Sequence, residues 1–185
     1  MEQTLEICRW VYNETLAMRK SAWEQEQRSI SYYESKRQIP LWKKEHPELS
    51  GVYSQVLQDV SMRVDLAFKA FFRRVKAGEN PGYPRFKGRG RYDSFTYPQY
   101  GFKLDRDRLQ LSKIGAVKVL LHRPVEGTIK TLTIRRSSTG KWYACFSVEY
   151  DPSPLPQKET VVGIDVGLES FATLSNGEKI ENPRF

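Results

Sequence analysis

"LQDVSMRVDLAFKAFFRRVKAGENPGYPRF", residues 57–86, contains the point at which the chain changes its hydrophobic period. In its first part Leu57, Val60, Val64, Phe68, Phe71 and Val75 recur every three or four positions, which on a 3.6-residue helix forms one apolar stripe. Arg63, Lys69, Arg73, Arg74 and Lys76 fall on the remaining surface, and Gly78 supplies the stop. From about residue 84 the period is two. "TIKTLTIRR" and "KWYACFSVEY" alternate, so Trp142, Ala144, Phe146 and Val148 share one face of a strand and Tyr143, Cys145, Ser147 and Glu149 the other. "FTYPQYGFKL" and "AVKVLLH" are further strands, separated by turns such as "LDRDR". Short strands at roughly ten-residue spacing predict a small antiparallel barrel or sandwich, so the fold class expected is α+β.

Upstream, Leu5, Cys8, Tyr12 and Leu16 predict a first helix, and a second is expected over part of residues 32–46, where Pro40 should break or kink it. Downstream, "DPSPLPQ", residues 151–157, has three prolines in seven and reads as a domain boundary. Beyond it, "VVGIDVGLESFATLSNG", residues 161–177, begins with a nearly continuous apolar run, the pattern of a strand covered on both faces. A second strand, "SFATLS", follows, and "NG" signals a type I′ hairpin turn.

At 185 residues the chain can form one domain or two small ones. No apolar run approaches the ~20 residues of a membrane span. Cys8 and Cys145 lie far apart at apolar positions of their patterns, which suits buried thiols in a reducing, cytoplasmic compartment. The net charge of +8 is uneven: residues 1–62 carry 8 basic and 9 acidic side chains, residues 63–141 carry 19 and 6, and residues 142–185 carry 3 and 7. So concentrated a positive potential favours a polyanion with repeated phosphates over a single acidic ligand.

Two stretches could carry chemistry. Asp165 sits between Gly163 and Gly167 in an apolar strand, where an unpaired buried charge costs several kcal/mol unless a metal or partner compensates it. The alternative is an Asp at the exposed end of a strand. In "NPGYPRFKGRGRYDSFTY", residues 80–97, Arg85, Lys87, Arg89 and Arg91 interleave with Tyr83, Phe86, Tyr92, Phe95 and Tyr97, as in segments that track phosphates and stack on bases. Here the alternative is a surface connector whose aromatics pack on the strands. The two cysteines and two histidines, His46 and His122, lack zinc-ligand spacing, and no Ser/His/Asp order, P-loop or dinucleotide fingerprint is present.

Three blocks in order, "RWVYNETLAMRKSAW", "AFKAFFRRVKAGENPGYPRFKGRGRYDSFTY" and "VVGIDVGLESFATLSNGEKIENPRF", resemble the N-terminal half of the TnpB or OrfB proteins of bacterial insertion sequences, described as transposases and related to type V CRISPR effectors. The resemblance implies an RNA-guided DNA endonuclease that binds a guide RNA and a double-stranded DNA target. On that mapping residues 1–78 are a helical recognition domain, 79–152 an oligonucleotide-binding wedge barrel, 153–159 a linker, and 160–185 the first hairpin of an RNase H-like RuvC nuclease. Asp165 matches the first of three catalytic acids that hold magnesium. Tyr32, Ser54, Gln58 and Thr96 align with positions that read the motif flanking the DNA target, Ser54 standing where a lysine can occur.

The chain departs from the family pattern in two ways. It starts in the first helix, without a preceding basic wedge strand, and it stops before the second and third acids and a zinc finger. The expectation is therefore a nucleic-acid-binding portion that does not cut alone, with the missing acids coming from a second polypeptide, or with self-association through an open barrel edge. Two other readings are an ATP-binding hairpin of the actin and hexokinase type, and a catalytically dead regulatory remnant.

Overall fold

The structure, a computed structural model, describes residues 1–152 and 161–183. Helix α1 (Glu2–Glu26), helix α2 (Tyr32–Glu45), a 3-10 turn (Pro47–Gly51) and helix α3 (Ser54–Lys76) come first. Six strands follow: β1 (Ser94–Tyr97), β2 (Phe102–Asp105), β3 (Arg108–Leu111), β4 (Gly115–Lys118), β5 (Thr128–Arg136) and β6 (Trp142–Glu149). After these come β7 (Ile164–Asp165), β8 (Ser170–Leu174) and β9 (Lys179–Glu181). The α+β class holds, with all strand pairs antiparallel.

The expected barrel does not close. Among the described residues the strands form three open sheets, ordered β1-β5-β6, β2-β3-β4 and β7-β8-β9. Pro98, which has no N–H to give a ladder, follows the last residue of β1. At the other break, "AVKVLLH" stops being a strand at Lys118: Leu120 is 88% exposed, and no strand is assigned again until Thr128. No hydrogen-bonded ladder therefore joins the first two sheets.

Met1–Tyr150 is one compact unit and Asp151–Phe185 a second. In the first, helices and strands share a core. Leu5, Cys8, Val11 and Leu16 of α1 and Leu57, Val60 and Val64 of α3 meet Phe95 and Tyr97 of β1, Leu109 and Leu111 of β3, and Leu132 and Ile134 of β5. Each such fully buried large side chain contributes about 1.5–3 kcal/mol. The stripe on α3 enters the core only as far as Phe68; Phe71 is half-buried and Val75 is 47% exposed, because the helix runs on past the residues that cover it. It ends in a Schellman motif, with Gly78 at φ 76° and Glu79 N–H bonded to the Arg74 carbonyl.

Helix α2 runs unbroken through Pro40, contrary to the expectation of a break. A proline removes only its own N–H from the ladder. Here a capping box between Ser31 and Glu34 fixes the start, while Ile39 is buried and Trp42 packs edge-on against Trp10 at 5.7 Å. Cys145 also differs from expectation: it lies on the outward face of β6 and is exposed, whereas Cys8 is fully buried.

In the second unit β7 is not covered on both faces: Ile164 is 62% exposed and Asp165 is exposed as well, and the buried apolar residue of the unit, among the described residues, is Ala172 of β8. The Asn176-Gly177 turn is not type I′, since Gly177 alone takes a positive φ, 89°, and bonds back to the Leu174 carbonyl. The linker expected over 153–159 lies outside the described residues.

Candidate nucleic-acid interface

The segment from Gly78 to Asp93 has no regular secondary structure, yet it is pinned at three points. Tyr83 stands edge-on to Phe68 and Phe71, at 5.5 and 5.4 Å between ring centroids. The Asn13 side chain of α1 then pairs with the Lys87 backbone as a neighbouring strand would: Lys87 N–H donates to Asn13 Oδ1 at 2.8 Å, and Asn13 Nδ2 donates to the Lys87 carbonyl at 3.0 Å. Finally Tyr92 is buried against Tyr12, 5.9 Å between centroids. Nothing in the residue pattern of the loop announces Asn13.

These anchors sort the interleaved residues. Tyr92, Phe95 and Tyr97 belong to the core, so for them the packing alternative is the correct one; Tyr83 and Phe86 keep 41% and 52% of their surface exposed. Arg85, Lys87, Arg89 and Arg91 are exposed and have no carboxylate in ion-pair reach among the described residues. Arg73, Arg74 and Lys76 at the end of α3 likewise have no carboxylate in reach among the described residues; Arg73 and Lys76 are exposed, while Arg74 is half-buried and donates to the Ala70 carbonyl at 3.3 Å, and basic groups there also suit the helix dipole.

The other two basic residues on α3 are engaged. Lys69 and Arg19 both bind Asp65, at 2.9 Å each. Burial works against that carboxylate, but bonds from Lys69 and Arg19 outweigh it and hold its pKa below the usual value. Arg63 turns inward and ties α3 to β1. Its Nε donates to Asp59 at 2.8 Å, one Nη donates to the Ser94 carbonyl at 2.9 Å, and the other donates to Thr96 Oγ1 at 2.7 Å. Thr96 in turn shares a 2.8 Å hydrogen bond with Thr133, its register partner on β5. Burial pushes the Asp59 carboxyl above its usual range, the Arg63 charge pulling the other way. The Asp59-x-x-x-Arg63 spacing was a legible signal for the first of these contacts; the rest required β1 to be placed.

Of the other motif-reading positions, Tyr32 opens α2 and is half-buried beside Lys36, whose Nζ lies 5.5 Å from the ring centroid. Ser54 opens α3 and accepts a 2.8 Å bond from Lys43 Nζ. Burial, reinforced by the charge of Lys113, lowers the pKa of that lysine. Gln58 lies one turn further along α3, half-buried. Asp165 belongs to the second unit: it is exposed on β7, opposite Thr173 of β8, which is the strand-end placement rather than a buried charge. Among the described residues no three His, Cys, Asp or Glu side chains come together as a metal site.

Residues 1–28 match a family model for an OrfB-type helix-turn-helix domain. Over 179 residues the chain is 36% identical to "Putative RNA-guided DNA endonuclease InsQ" of Escherichia coli (strain K12), an alignment covering 94% of this chain and 43% of that protein. A "Putative RNA-guided DNA endonuclease" of Streptomyces pristinaespiralis is 35% identical over 190 residues, covering all of this chain and 46% of its own length.

The chain belongs to the TnpB/OrfB family.

It spans a little under half the length of these curated relatives. In this TnpB/OrfB chain the matched helix-turn-helix segment is α1 and the first residues of the turn after it, where Gln27 takes a left-handed φ of 51°; α2 is the next helix. No described helix is long and apolar enough to cross a membrane.

Proposed function

We propose that the chain is the N-terminal, nucleic-acid-binding portion of a TnpB-like RNA-guided DNA endonuclease. It holds guide RNA and target DNA through the end of α3 and the loop that follows. The supporting observation is the row of seven cations without an ion pair among the described residues: Arg73, Arg74 and Lys76 at the end of α3, and Arg85, Lys87, Arg89 and Arg91 on the loop clipped to α1. On this proposal β1–β6 constitute the wedge and β7–β9 the opening of RuvC. Tyr32, Ser54, Gln58 and Thr96 read the motif beside the DNA target, with Lys43 bringing an ammonium to Ser54 where relatives of this type can carry a lysine.

Asp165 would be one carboxylate of a magnesium centre, but alone it does not fit one. Two-metal hydrolysis needs several carboxylates to hold ions ~3.5–4 Å apart. The described residues gather no such group, so no cleavage step is assigned to this chain. Partners supplying the remaining acids, or a strand added at the outer edge of β6, complete the proposal.

Binding of a guide-type RNA, followed by fluorescence anisotropy, should weaken by about 10³ between 50 and 200 mM salt, as expected for six or seven phosphate contacts. Affinity that is absent at low salt, or independent of salt, overturns the proposal. With magnesium and RNA present the chain alone should leave target DNA intact; cleavage that Asp165→Ala abolishes would show that the site is complete.

A further inference from the structure

The geometry points to a single-phosphate notch between α1 and the 85–93 loop, a feature that rests on the nucleic-acid reading above and gives it a definite contact. A cavity of about 240 Å³ opens there, lined by Tyr12 of α1, Arg63 of α3, Lys87, Arg91, Tyr92 and Asp93 of the loop, and Ser94 of β1. Arg63 is paired with Asp59 at 2.8 Å and Asp93 is engaged by Arg135 at 3.5 Å, so the charges of Lys87 and Arg91 are the ones left without a carboxylate among the described residues. The space therefore carries an uncompensated positive charge.

Its donors differ in kind. Arg63 spends most of its N–H groups on Asp59, Ser94, Tyr92 and Thr96, so it is a fixed and already paired part of the wall. Lys87 and Arg91 are exposed. The Lys87 ammonium lies 5.8 Å from the Tyr12 ring centroid, near the ~6 Å limit of a cation–π contact, and keeps its donors for a ligand. Arg91 is presented by the turn in which its N–H bonds to the Gly88 carbonyl at 3.0 Å.

The walls indicate what fits. Tyr12 and Tyr92 are buried and pack on each other, so they offer no open face on which a base could stack. What remains is a cationic space with pre-placed donors and no stacking face, which suits a tetrahedral phosphate. The Asn13 clip on the Lys87 backbone holds the rim in place before anything binds, which reduces the ordering cost of association. The phosphate is an internal phosphodiester of a bound strand or free inorganic phosphate.

Two measurements on the 185-residue chain separate these sources and test the notch. Titration with inorganic phosphate, followed by two-dimensional ¹⁵N NMR, should shift the amides of residues 87–93 in the native protein and leave them still in Lys87→Ala/Arg91→Ala. For a short single-stranded oligonucleotide, the same double variant should lower the slope of log affinity against log salt by about 0.7, the value for one phosphate. A control of equal charge, Lys103→Ala/Lys118→Ala, changes exposed residues on β2 and β4 and should lower it less. Equal loss in both variants, with unmoved amides, overturns the notch. If phosphate moves the amides but no oligonucleotide binds, the notch stands as a free-phosphate site and the wider function falls.

Discussion

Arg63 shows how far a single side chain can be misread from its own element. On a helical wheel it lies on the flank of the apolar stripe and reads as surface charge; placed against β1 it serves Asp59, Ser94 and Thr96 at once. Arg63→Ala leaves those groups unpaired and should cost about 2–3 kcal/mol in urea unfolding, with Arg63→Lys recovering only part, because an ammonium cannot fork between the helix and the strand. The two cysteines give a cleaner contrast. Burial pushes the Cys8 thiol up to about 12, while Cys145 faces solvent. The folded protein should therefore react with one equivalent of a thiol reagent at mildly alkaline pH and with two after denaturation. Asp65 predicts a pH dependence. Its folded pKa is depressed, so its contribution is present above the ordinary carboxylate value and disappears as pH falls through the lower folded value. Asp59, with a raised pKa, works with the opposite sign, so the test is a difference: stability of the native chain minus that of Asp65→Asn should shrink between pH 5 and 3, roughly the span around an unperturbed carboxylate.

Elements with one strong period were legible. The α1 residues Leu5, Cys8, Tyr12 and Leu16 are all buried, and β5 and β6 fall where alternation placed them, because a regular period names the face before its partner is known. Helix α2 was less clear, since Pro40 argued for a break and the Ser31-x-x-Glu34 capping box that fixes its start was not read from the sequence. Pro40 is exposed, so Pro40→Ala restores a ladder N–H without disturbing the core and should raise stability by roughly 1–3 kcal/mol, measured by thermal unfolding. Barrel closure was not legible. Strand spacing counts strands but says nothing about which edges meet, and the residues between β4 and β5 pair with neither sheet as strands.

At the scale of the whole molecule, charge and core divide in the same place. Met1–Tyr150 carries 27 basic and 16 acidic side chains, Asp151–Phe185 carries 3 and 6, and every residue of the shared helix–strand core lies in the first unit. A chain ending at Tyr150 should therefore keep a cooperative melting transition and salt-sensitive RNA binding; loss of either would show that the second unit is needed. Sequence by itself determined the α+β class, the faces of its regular helices and strands, the excess of cations from residue 63 to 141 and the family to which the chain belongs, because periodicity, composition and motif order are local properties of the chain. Only the tertiary structure decided which cations are free and which are spent, which aromatics are core, and that Asn13 fixes the Lys87 rim. Those depend on contacts between residues 30 to 80 positions apart, where a side chain's role is set by what packs against it.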